Sequence, residues 1–158
     1  MWPEPVERVA RELRAAAAEA TIEEFAHGTP TAEAAARAVG CSLDQIVKSI
    51  VFVCGDAYVV ALVPGDRRAD PASVAGAAGC DEVRVATGKE VRDVTGFEPG
   101  GVAPFPLPRV RDILIERTLL QHDRVWIGAG TPAHMAALAP GELQRVAGAR
   151  AADLVASG

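Results

Sequence analysis

Ile46-Val47-Lys48-Ser49-Ile50-Val51-Phe52-Val53-Cys54 is the stretch on which the reading of this chain turns. Seven of its nine residues are apolar and many are β-branched, so it reads as a strand buried on both faces. Alternation assigns Ile46, Lys48, Ile50, Phe52 and Cys54 to one face, and Val47, Ser49, Val51 and Val53 to the other. Lys48 stands inside this run with no acid beside it. A lysine is almost never fully buried unless it is paired or used. Two readings stay open: an edge position from which the stem snorkels to water, or a cleft wall where the ammonium meets a polar or anionic ligand.

Around that strand the chain reads as one α+β domain of 158 residues, long enough for a substantial core. Its sheet should be mixed, because hairpins alternate with helical crossovers. Gly55-Asp56 separates the Lys48 strand from the apolar run Ala57 to Val63, a β-hairpin whose leading glycine suits a type II′ turn. Upstream, apolar residues at helical spacing from Val6 to Ala20 predict an amphipathic helix. Thr21 to His27 reads as a short edge strand, and Thr31 caps a helix over Ala32 to Val39 that Gly40 closes. Ser42 caps one further turn, Leu43-Asp44-Gln45. Downstream, Asp70-Pro71 opens a helix that stops at Gly79, Glu82 to Ala86 is a brief strand, and Thr87 with Glu90 forms a capping box for a helix ending at Gly96. Strands are expected at Val110 to Glu116, Arg124 to Ile127 and His134 to Leu138, with a helical turn at Thr118 to Gln121. Pro140 opens a last helix that Gly148 ends.

Composition excludes several classes. At 49% hydrophobic and 23% charged residues, the chain is globular rather than disordered. A net charge of -5 argues against a general nucleic-acid coat and against DNA as a partner, although arginines gather at Arg67-Arg68, Arg84 to Arg92 and Arg109 to Arg117. Cys41, Cys54 and Cys80 are odd in number and show no metal-ligand spacing, so free thiols in a reducing cytosol are expected. Met1-Trp2-Pro3-Glu4-Pro5 has neither a basic start nor an apolar core, and no run approaches the ~20 residues of a membrane helix. A cytoplasmic protein without membrane contact is expected.

No nucleophile elbow, phosphate loop, zinc motif or dinucleotide fingerprint is present. The histidines are scattered; His134 follows the turn Gly128-Ala129-Gly130-Thr131, where it could line a cleft, but it reads more readily as a surface residue than a catalytic one. What remains beside Lys48 is the loop Phe97 to Pro108, with four prolines, two glycines and several apolar residues. Glycines such as Gly100 and Gly101 let backbone N–H groups converge on an oxyanion or carboxylate.

Gln45-Ile46-Val47-Lys48-Ser49-Ile50-Val51-Phe52, Gly100-Gly101-Val102-Ala103-Pro104, Gly130-Thr131-Pro132 and Pro140-Gly141-Glu142-Leu143 together resemble the YbaK/EbsC family, the homologues of the prolyl-tRNA synthetase editing domain. The similarity runs from about Thr31 to near Leu154. It implies a mixed, partly curled β-sheet surrounded by helices. It also implies hydrolysis, in trans, of the ester joining a wrong amino acid to the 3′ end of a tRNA, with mischarged tRNA as partner. Members use no metal, no cofactor and no protein nucleophile; a positioned water, backbone donors and the substrate's ribose hydroxyl are credited instead. The family lysine falls on Lys48, and its G-x-x-x-P loop on Gly100 and Pro104. Lys48, Gly100 and Gly101 form the expected catalytic set. Ile46, Ile50, Val102, Ala103, Pro104, Phe105, Gly130, Thr131 and His134 are the expected substrate contacts, and the Lys48 face with the Phe105 loop would shape a pocket for a small side chain. The histidine of synthetase-embedded relatives has no secure counterpart; His134 lies near its place. A non-catalytic module holding aminoacyl-tRNA or an amino-acid-like ligand is the competing reading. A Schiff-base lysine enzyme is disfavoured, because no phosphate-binding loop accompanies Lys48.

Overall fold

The computed structural model describes residues 2–25 and 31–156. Its elements run α1 (Glu4–Ala15), β1 (Ala20–Glu24), α2 (Ala32–Val39), a 3₁₀ turn (Leu43–Gln45), β2 (Val47–Cys54), β3 (Ala57–Pro64), α3 (Pro71–Ala78), β4 (Arg84–Val85), α4 (Gly88–Thr95), β5 (Asp112–Glu116), a 3₁₀ turn (Arg117–Gln121), β6 (Val125–Gly128), β7 (His134–Leu138), α5 (Pro140–Ala147) and β8 (Arg150–Ala152). The caps fall where the sequence put them. Thr31, Asp70 and Thr87 accept from the backbone N–H three residues on, and Gly40, Gly79, Gly96 and Gly148 close four helices in the left-handed conformation.

Two expectations about the N-terminal region are corrected. The first helix stops at Ala15, well short of Ala20, with Ala17 at φ 52° and the Ala18 N–H reaching back to Leu13 O. Ala20 is already paired with Leu138, so cross-strand hydrogen bonding overrides the helix preference of the alanine run. The edge strand then ends at Glu24, and His27 lies outside the described residues.

The α+β class holds, but the strands form two sheets rather than one. A five-stranded mixed sheet has the order β4-β2-β3-β5-β8, and a three-stranded antiparallel sheet the order β1-β7-β6. A single parallel bridge, Ile46 to Trp126, links them, so the sheets turn toward each other without closing into a barrel. β8, which the sequence analysis lacks, is three residues long and pairs parallel to β5.

At the centre, β2 and β3 pair in register from Val47↔Pro64 to Cys54↔Ala57 around the Gly55-Asp56 turn. Gly55 has φ 60° while Asp56 does not share a positive φ, as a type II′ turn requires. One face of the hairpin, with Val47, Val51, Val60 and Leu62, packs into a core with Phe97, Phe105, Leu107 and Ile127. The other face, with Phe52, Cys54, Val59 and Val63, packs against Val74, Ala78 and Leu154. The two-sided burial is interrupted at Lys48, Ser49 and Ile50, which are half-buried.

The three-thiol expectation is also corrected. Cys54 ends β2 and Cys80 follows α3; their Cα atoms stand 5.9 Å apart and the two form a disulfide. Neither their count nor their separation of 26 residues signalled this; only the packing of α3 on the hairpin does. Cys41 is free, and burial together with the nearby Asp44 raises its thiol pKa.

Candidate functional site

β4 covers only a fragment of β2, pairing with Phe52 and Val53 alone. Among the described residues, the edge of β2 from Lys48 to Ile50 therefore has no neighbouring strand beyond the link to β6 at Ile46. In a two-residue hairpin, alternate residues direct their N–H and C=O groups away from the partner strand. Val51 does so, its carbonyl accepting from the Ala86 N–H at 2.9 Å. By the same alternation the Val47 N–H faces Trp126 across the parallel bridge, whereas Ser49 presents its backbone polar groups at the open edge. A cleft of about 320 Å³ lies there, at the lower end of the range that holds small ligands.

The cleft has three walls. One is the start of α2, with Thr31, Ala32 and Ala35; the second is the strand, from Ile46 to Ser49. The third combines the two glycine-bearing loops through Gly100, Val102, Gly128 and Thr131, with His134 and Met135 at the start of β7. These loops are packed backbone on backbone. A Cβ on Gly101 would stand 2.7 Å from Thr131 Cα, and one on Gly128 would stand 2.7 Å from Val102 O. Glycine is required at both positions because side chains would drive the loops apart.

Lys48 reaches this cleft. Its Nζ donates to Arg67 O at 2.8 Å, and partial burial pulls its pKa below the usual lysine range. Glu33 works against that shift, Arg68 adds to it, and Asp66 again opposes it. The absence of acids beside Lys48 in the sequence is thus not an absence in space.

Two buried polar atoms on the cleft residues make no hydrogen bond among the described residues: Ser49 Oγ and His134 Nε2. Leaving such a group unpaired typically costs about 1–3 kcal/mol, so an uncompensated pair in one cleft points to a polar ligand. His134 is 3% exposed, which corrects the surface reading. Its Nδ1 lies 2.5 Å from Thr131 Oγ1, and Thr131 Oγ1 also accepts from the Ala133 N–H at 3.1 Å. The Nε2 is 3.6 Å from Glu24 Oε2, beyond hydrogen-bond reach. Trp2 meets the imidazole edge-on, with ring centroids 5.5 Å apart.

The structure thus brings Ile46, Lys48, Gly100, Val102, Thr131 and His134 to one cleft. It sends the other expected contacts elsewhere. Ala103 and Phe105 are buried in the core on the Val47–Val51 side of the hairpin, so Phe105 and the Lys48 face do not enclose one pocket. Ile50 packs toward the opposite core, and Pro104 is buried within its loop. Gly130 fits against the backbone of Pro5, which a Cβ would approach to 2.7 Å. The Gly101 N–H is already donated to Glu98 O at 2.9 Å, so the expected pair of converging glycine donors is not formed. Ser49 and its strand-edge amide were missed in the sequence. A serine in a strand is unremarkable until the shortness of β4 is known. Among the described residues, no group of three or more His, Cys, Asp or Glu is placed to hold a metal, and no helix is long and apolar enough to cross a membrane.

Comparison with known proteins gives the chain's relatives. A solved structure of a candidate trans-editing enzyme for prolyl-tRNA synthetase superposes with a TM-score of 0.92 at 34% identity, covering 99% of this chain and 100% of the other. The uncharacterized protein YwhH of Bacillus subtilis is 31% identical over 123 residues, 77% of this chain and 78% of its own length. A proline–tRNA ligase of Lactobacillus helveticus is 30% identical over 103 residues; that is 65% of this chain but only 18% of the ligase, so the chain corresponds to a small part of such enzymes. The sequence model of the aminoacyl-tRNA editing domain matches residues 26–146, and the chain belongs to that family.

Proposed function

We propose that this protein is a trans-acting aminoacyl-tRNA deacylase, which hydrolyses the ester between a wrongly attached small amino acid and the 3′ end of a tRNA. The observation that carries the proposal is the open β2 edge beside Lys48, a small cleft offering one ammonium and the Ser49 strand-edge amide to an acyl group. The ester is already activated, so orientation and a few fixed donors suffice. Water adds to the ester carbonyl carbon, charge gathers on the carbonyl oxygen, and the carbon–oxygen bond to the ribose breaks as the ribose oxygen takes up a proton. Lys48, whose ammonium is held by Arg67 O, stabilises the developing oxyanion rather than acting as a base. The Ser49 N–H at the open strand edge shares that role. Ala32, Ala35 and Met135 give the acyl side chain an apolar, narrow wall. Such a site complements a synthetase pocket, in which one methylene discriminates only about 10–200-fold. Because charged tRNA is made and used where translation occurs, we assign the activity to the cytoplasm.

A panel of alanyl-, seryl-, threonyl- and cysteinyl-tRNA tests this reading. Release of free amino acid from at least one is the expected result. Protection of the ester without turnover would instead identify a binding module.

A further inference from the structure

We infer that Arg68 is a phosphate contact, the rim residue over which the sugar–phosphate backbone of the substrate's 3′ strand leaves the cleft. The inference rests on the deacylase reading and extends it from the acyl group to the nucleic acid. Several surface arginines are neutralised by carboxylates, as in Arg84–Glu90, Arg117–Asp153 and Arg145–Glu142, while Arg109 is spent on Asp93 O and Arg124 lies over the Trp126 ring. Arg68 has no carboxylate within ion-pair distance among the described residues, and it is exposed. Its charge is nonetheless close enough to Lys48 to disfavour that lysine's protonation. An unpaired guanidinium beside an ammonium is a costly arrangement on an otherwise acidic protein, and an approaching polyanion relieves it.

The segment bearing Arg68 is fixed from both sides. Gly65 N–H donates to Ile46 O, and its lack of a Cβ admits Leu43 O, which would stand 2.7 Å from one. On the other side Ala69 bridges Val155, the Ala156 N–H donates to Arg68 O, and the Arg67 guanidinium is spent on Ala156 O. Arg68 is therefore displayed from a backbone tied on both sides, next to the carbonyl that holds the cleft-lining Lys48. The acids nearby are Glu33 on α2 and Asp66 on the same segment. Glu33 repels phosphate from the α2 rim, which leaves the Arg68 side as the exit for the strand.

The test compares Arg68→Ala, Arg68→Glu and Arg68→Lys on two substrates: intact mischarged tRNA, and the same amino acid esterified to adenosine, which carries no phosphate. With tRNA, KM is expected to rise for alanine, further for glutamate and little for lysine. The slope of log KM against log salt should flatten by about one, which is a roughly threefold smaller loss between 50 and 200 mM salt. With the adenosine ester all three variants should match the parent. Unchanged KM and salt slope on tRNA would overturn the inference alone. Equal losses on both substrates would overturn it too, showing that Arg68 acts only through Lys48. A parent protein that clears neither substrate would defeat the deacylase reading, and this inference with it.

Discussion

At Lys48 two terms of opposite sign meet. The Nζ–Arg67 O hydrogen bond is worth about 1 kcal/mol, while partial burial lowers the lysine's pKa below its usual 10.5. The folded protein therefore binds this proton less tightly than the unfolded chain. The charge costs stability at neutral pH, and that cost is relieved only as pH rises through the lowered folded value toward 10.5. Lys48→Ala is accordingly expected to alter stability by less than about 1 kcal/mol and to abolish deacylation. Lys48→Arg should not rescue, because a planar fork does not fit a point-charge position. Melting curves beside deacylation rates check both; a folded Lys48→Ala protein with parental turnover would defeat the proposal. Lys48 was legible in the sequence because a charge inside an apolar run is anomalous on its own. Ser49 was not, and His134 was legible as a cleft residue but not as a buried one, since burial and the absence of a partner are properties of the assembled fold.

Among the elements, the two glycine loops and α1 determine the cleft's third wall. Gly101→Ala places a Cβ against the Thr131 backbone, which cannot yield as a flexible side chain would. It should destabilise the protein by about 1–3 kcal/mol and slow turnover, since Thr131 orients His134. Gly100→Ala meets only Pro132 Cγ at 3.8 Å, but its φ of 89° makes any side chain strained; about 1 kcal/mol is expected. If Gly101→Ala leaves both melting temperature and rate unchanged, the close packing of the loops has no role. α1 lies outside the matched family segment, yet Pro5 abuts Gly130 and Trp2 abuts His134. Trp2→Ala should reduce turnover severalfold while the fold, anchored by Val6, Val9 and Leu13, persists. Parental kinetics in that variant would mean that α1 only covers the core. Helix bounds were readable because caps are local chemistry. The end of α1 and the existence of β8 were not, because pairing with distant strands decides them.

Across the whole molecule, the structural staple and the cleft lie at opposite ends of β2. The Cys54–Cys80 disulfide closes the strand's far end, six residues from Lys48 and about 20 Å along the strand. It ties α3 to the central hairpin across 26 residues, a loop for which chain entropy gives about 3.5 kcal/mol. For a protein of this size that corresponds to a melting-temperature shift on the order of 10 °C. Cys41, the remaining cysteine, does not line the cleft and has a raised thiol pKa, which makes it a poor nucleophile. A triple Cys→Ser variant, or the reduced parent, is therefore expected to melt earlier and to deacylate at the parental rate while it stays folded. The two measurements belong together, because loss of rate above the new melting temperature says nothing about chemistry. A triple variant that is fully folded at the assay temperature but inactive would reveal a thiol in the reaction, and the Lys48-centred mechanism would have to yield to it.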